Sequence, residues 1–75
     1  MVRLGIDVGS TTVKMIIMDG EEIIFKEYRR HYSDVKNTVI QLIEEVADKL
    51  KDKTITMMIT GSGGLEISEE LNIPF

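Results

Sequence analysis

Six residues close to the N-terminus could do chemistry together: Asp7, Gly9, Ser10, Thr11, Thr12 and Lys14. Gly9 lets the backbone turn tightly and lets an anion approach without a Cβ in the way. The consecutive N–H groups of Ser10, Thr11 and Thr12 can point into one concavity, and the three hydroxyls add further donors. Asp7 ends the preceding apolar run, where a carboxylate can hold Mg²⁺ through its water shell. Mg²⁺ in nucleotide sites typically uses one or two carboxylates plus phosphate oxygens. Lys14 lies two residues into the next apolar run and can bring a positive charge to a phosphate. Together they describe a phosphate-binding β-hairpin over Leu4–Lys14, LGIDVGSTTVK. Asp7 is its catalytic and metal-side carboxylate. A second candidate is the loop Gly61, Ser62, Gly63 and Gly64. Either it is a plain connection, or it lines a cleft at the C-terminal end of its strand, where α/β sheets place ligands.

The hairpin needs strands on both sides, and the pattern supplies them. Val2, Leu4, Ile6 and Val8 alternate with Arg3, Gly5 and Asp7, which predicts a strand. Thr12–Met18 is apolar on both faces except for Lys14, so it should be central and covered on both sides. Asp19-Gly20 predicts a two-residue type I′ turn, with positive φ at both positions. Glu22–Arg30 is a charged third strand suited to a sheet edge. Ser33 or Asp34 can cap the helix that follows. Val35, Val39, Leu42, Ile43, Val46, Ala47 and Leu50 form its apolar stripe. Glu45 and Lys49 are spaced for an ion pair within that helix. Thr54–Thr60, uncharged and β-rich, should be a buried strand parallel to the first, because a helix supplies the crossover. Leu65–Leu71 is a short helix. It should stop at Asn72-Ile73-Pro74, with Asn72 in the left-handed conformation and Ile73 folding back. The resulting order is β-β-β-α-β-α in a mixed sheet, an α/β class.

Composition narrows the function classes. The chain has 75 residues, 43% of them hydrophobic and 29% charged, which suits one thin-cored globular domain. A net charge of −4 argues against a nucleic-acid partner, whose footprint should be basic. With no cysteine, neither a disulfide nor a Cys-based metal site can form within the chain. No apolar run is long enough to span a bilayer, so no membrane partner is expected. A cytoplasmic location is the simplest expectation. His31, the single histidine, follows two arginines and suggests a solvated strand end. The five methionines suit core filling.

LGIDVGSTTVK resembles the first phosphate motif of the superfamily of actin, sugar kinases and heat-shock ATPases. Lys14 stands where actin also carries a lysine. LGIDVGSTTVK also resembles the opening of the activators of 2-hydroxyacyl-CoA dehydratases and of the related benzoyl-CoA reductase ATPase components, and TGSGG with the following SEELNIP segment resembles their next signature. The resemblance covers essentially the whole chain. It implies an incomplete ribonuclease H-like, actin-like ATPase subdomain, the N-terminal part of a truncated ATPase domain. It implies ATP or ADP and Mg²⁺ as ligands in the parent protein, bound through Gly9, Ser10, Thr11, Thr12 and Lys14, with Asp7 holding the metal through water. It implies that the parent couples ATP hydrolysis to single-electron transfer toward a dehydratase or reductase component, using a 4Fe–4S cluster between two copies. Many such activators carry an arginine where this chain has Gly64, so no role of that arginine carries over. The second phosphate motif, the adenosine-binding glycines and the cluster cysteines would all lie beyond Phe75. This chain alone should therefore be inactive. Two other readings share the hairpin: a fragment of a sugar or acetate-type kinase, and a non-catalytic actin-like assembly module. The uncharged edge of Thr54–Thr60 leads us to expect self-association of the fragment, or a homodimer of the parent.

Overall fold

A computed structural model describes all residues from Met1 to Phe75. Strands β1 (Val2–Val8), β2 (Thr12–Asp19) and β3 (Glu22–Arg30) form an antiparallel meander. Helix α1 (Val35–Ala47) runs on into a 3₁₀ turn over Asp48–Leu50. Strand β4 (Ile55–Thr60) then pairs in parallel with β1, and α2 (Gly64–Leu71) follows. The sheet order is β3-β2-β1-β4, so the chain is an α/β domain with a mixed four-stranded sheet and two helices. The charged third strand takes one edge and β4 the other.

Alternation decides which side of the sheet is filled. Val2, Leu4, Ile6 and Val8 of β1 and Val13, Met15 and Ile17 of β2 face one way. They pack against Val39, Leu42 and Val46 of α1, Leu50, Ile59 of β4 and Ile67 of α2. Both helices lie on this face. The other face carries Arg3, Gly5 and Asp7 of β1, Lys14, Ile16 and Met18 of β2, and Thr56, Met58 and Thr60 of β4, and it is open. Two expectations are corrected by this. Strand β2 is covered on one side only, its outward residues being half-buried. Strand β4 is not buried: Ile59 alone is, and Met58 is 53% exposed. An apolar run cannot report whether a second layer exists to cover it.

Several local expectations also change. The β2–β3 turn is Gly20-Glu21, because Asp19 still pairs with Glu22. Positive φ occurs only at Gly20 (63°), as a type II′ turn requires, and not at Asp19. A bulge beside it lets Phe25 pair with Ile17 and Ile23 with Met18, leaving Ile24 unpaired and twisting this edge strand. Asp34 occupies the start of α1, but its carboxylate does not cap the helix. It accepts from Asn37 Nδ2 at 3.1 Å instead. Thr38 is buried in the helix stripe by donating to the Asp34 carbonyl at 2.8 Å, whereas Ala47 is exposed. Glu45 does not pair with Lys49. It takes Arg29 of β3 in a two-pronged contact at 2.5 and 2.9 Å, and Lys49 lies 4.7 Å from the Phe25 ring centroid. The stop of α2 is as expected: Asn72 is left-handed at φ 56°, and the Ile73 N–H returns to the Ser68 carbonyl at 3.0 Å.

Candidate functional site

Asp7 ends the outward row of β1, opposite Lys14 on β2 and Thr60 on β4. These three line a hollow of about 400 Å³ with Gly5, Ile16, Met58 and Phe75. Gly5 deepens it, since nothing approaches within 4 Å of where its Cβ would stand. No donor in the chain engages the half-buried Asp7 carboxylate, and no cation lies within ion-pair distance of it. Lys14 is turned toward β3, its amine 5.6 Å from the Tyr28 ring centroid.

The turn at Gly9–Thr11 is opened in an unusual way. Gly9 N–H donates to the Thr12 carbonyl at 2.8 Å, but Thr12 N–H does not return the bond. A hydrogen-bonded antiparallel pair ordinarily exchanges both. The Gly9 carbonyl instead stands 3.1 Å from His31 Nε2. The N–H groups of Ser10 and Thr11 have no partner in the chain. Ser10 and Thr11 face a smaller hollow, about 150 Å³, shared with Arg30, His31, Tyr32 and Ser33. The structure thus brings the predicted residues to one end of the sheet but divides them between two hollows. Asp7 and Lys14 line one, Ser10 and Thr11 the other, and Gly9 lines neither.

Gly9 does not need to be glycine for the turn. Its φ is outside the left-handed region, and a Cβ would meet the Thr12 carbonyl at an ordinary 3.4 Å. Of the two reasons expected for a glycine here, the tight turn is not one that this backbone requires. Gly61 is the opposite case. Its φ is +98°, and a Cβ would overlap the Val8 carbonyl and stand 2.5 Å from Asp7 Oδ1. Gly63 donates to the Val8 carbonyl at 3.1 Å, and Gly64 donates to the Gly61 carbonyl at 3.0 Å. The loop therefore presses its backbone against the end of β1 beside Asp7. Gly64 is buried against Ile59 and Phe75 and is not itself among the residues lining the hollow, and Ser62 is exposed.

His31 was expected to be solvated, yet it is 7% exposed and wedged behind the turn. Its Nδ1 accepts the Ser33 N–H at 3.0 Å, and its backbone N–H donates to the Thr11 carbonyl at 3.0 Å. Nothing local in the sequence marks this role, because its partner Gly9 is 22 residues away.

No group of three or more potential ligands converges on a metal site. One unengaged carboxylate at a strand end does fit a Mg²⁺ held mainly by water and phosphate. An iron–sulfur cluster does not fit this chain, which has no cysteine to hold one. No helix is long and apolar enough to cross a membrane. The fold and site together define a small α/β domain with an opened hairpin turn at one end of its sheet. Comparison with protein-family models, curated proteins and solved structures finds no match for the chain.

Proposed function

We propose that this chain is the nucleotide-binding portion of an actin-like ATPase domain. The observation that carries the proposal is the pairing of unbonded Ser10 and Thr11 N–H groups with a free Asp7 carboxylate at the adjoining strand end. The N–H groups can receive phosphate oxygens, and Asp7 can orient the water shell of a Mg²⁺ bridging those oxygens. Lys14 reaches the same end of the sheet and would add charge by turning from Tyr28. Catalysis in such a site is positioning and electrostatics rather than covalent chemistry. One wall of donors is too little for that, so the 75-residue chain should bind without turning over.

The resemblance of LGIDVGSTTVK and TGSGGLEISEELNIP extends the proposal to a parent protein. That parent is a cytoplasmic activator of a CoA-substrate dehydratase or reductase, coupling ATP hydrolysis to electron transfer through a 4Fe–4S cluster held by residues outside this sequence. The test is a titration of the chain with Mg-ADP and Mg-ATP followed by amide chemical shifts. Shifts confined to Asp7–Thr12 and Gly61–Gly63, losing their Mg²⁺ dependence in Asp7→Asn, support the proposal. Shifts elsewhere, or none, would end it.

A second reading, assembly, has its own observation. Strand β4 is an edge, and Ile59 N–H is bonded to the Pro74 carbonyl at 2.9 Å, so the C-terminal tail occupies part of the edge and leaves the rest open. We propose that a second copy pairs there. Light scattering that shows only monomer at high protein concentration counts against it.

A further inference from the structure

We propose that His31 is a positioning residue for the anion-binding turn, holding it open as the neutral Nε2–H tautomer. This rests on the phosphate reading of the turn given above. A backbone N–H can only donate, so the Ser33 N–H requires His31 Nδ1 to be the acceptor. A carbonyl oxygen can only accept, so the Gly9 carbonyl requires the ring proton on Nε2. The two contacts select one tautomer of the neutral ring. With the imidazole on the Gly9 carbonyl, Thr12 N–H is released from the reciprocal strand bond and joins the unbonded N–H groups of Ser10 and Thr11. Three successive donors are then available at the turn.

The wedge is held from behind by a strained loop. Tyr32 and Ser33 are both left-handed, at φ 48° and 65°, a conformation that side chains other than glycine adopt at a cost. The Ser33–Nδ1 bond and the Asp34 N–H bond to the His31 carbonyl, 2.7 Å, offset that cost. Protonation of His31 places a second proton on Nδ1, facing the Ser33 N–H, and breaks the first of these. The charged and titratable groups around the ring are Arg30, which stacks on Tyr32, together with Tyr32 and Asp34. The turn itself contributes none. The group hydrogen-bonded to Nδ1 is itself a donor, the Ser33 N–H, so an added proton there meets no acceptor in it.

The experiment is NMR of the full chain and two variants, with inorganic sulfate as the anion probe. Ring nitrogen shifts should show the Nε2–H tautomer. The amides of Gly9, Ser10 and Ser33 should respond to pH together with the ring. His31→Ala should speed exchange of the Gly9 amide and weaken sulfate binding, each about tenfold, the equivalent of one hydrogen bond. His31→Gln keeps a donor for the Gly9 carbonyl and cannot titrate. It should retain sulfate affinity within about twofold, with turn amides no longer sensitive to pH. An Nδ1–H tautomer, or turn amides in His31→Gln that still follow pH, overturns the proposal. Absent sulfate binding alongside the expected tautomer and shifts removes the phosphate reading and leaves the positioning role standing.

Discussion

At the scale of single residues, two glycines at the same end of the sheet answer to different demands. A methyl group on Gly61 would collide with the Val8 carbonyl and would have to adopt φ near +98°. Gly61→Ala should therefore cost about 2–4 kcal/mol, read as a lower denaturation midpoint, and should disturb Asp7 with it. Gly9→Ala meets no such obstacle. It should change stability by about 0.5 kcal/mol or less, and on the proposed phosphate reading it should weaken phosphate binding about tenfold by crowding the approach to the turn. Equal losses of stability and affinity in Gly9→Ala would mean that Gly9 serves the fold only. These opposite expectations separate a glycine required by the fold from one that the fold does not require. The sequence displayed both as members of polar, glycine-rich segments; only the atoms near each absent Cβ tell them apart.

At the scale of elements, the tie between β3 and α1 is electrostatic. Arg29 donates to both Glu27 and Glu45, 16 residues apart from the second, and so clamps the edge strand to the helix. The contact with Arg29 holds the Glu45 carboxyl below its ordinary value, and the two carboxylates raise Arg29, which stays charged throughout. A depressed carboxyl contributes stability that is present above its unfolded-state value and is lost as pH falls through the folded one. Thermal denaturation should therefore show wild type losing stability below about pH 4.5, and Glu45→Gln losing less over the same interval. Both side chains are partly exposed, so added salt should shrink the difference. Spacing alone suggested Lys49 as the partner of Glu45. The guanidinium prevailed because its planar fork meets both carboxylate oxygens at once.

At the scale of the whole molecule, one face of the sheet is built and the other is bare. Ile23, Tyr28 and Met58 are exposed beside half-buried Ile16 and Met18, which is more apolar surface than isolated side chains would present. Met58→Lys should leave the fold intact, since its side chain is 53% exposed on the open face, and should raise solubility of the chain. A fall in denaturation midpoint comparable to that of a core substitution would show that this face is packed in solution. Mg-ATP turnover by the same chain, abolished by Asp7→Asn, would show that a single wall suffices for hydrolysis and would overturn the two-walled reading of the site.

Local pattern was enough for the order of elements, the antiparallel meander, the parallel return of β4 and the stop of α2 at Asn72. Each follows from a period, a turn residue or a crossover requirement confined to a short stretch of chain. The hairpin residues were singled out as candidates by type and spacing, because backbone donors and a carboxylate at that spacing have a limited chemistry, and their role stands as a proposal. Only the tertiary structure decided which face of the sheet stays open, that Asp7 and the turn N–H groups open onto separate hollows, and that Gly61 abuts Asp7. It also decided the place of His31, a ring buried by contacts with a turn distant in sequence. Those features depend on which segments meet in space, and hydrophobic periodicity records only whether a residue prefers to be covered, never by what.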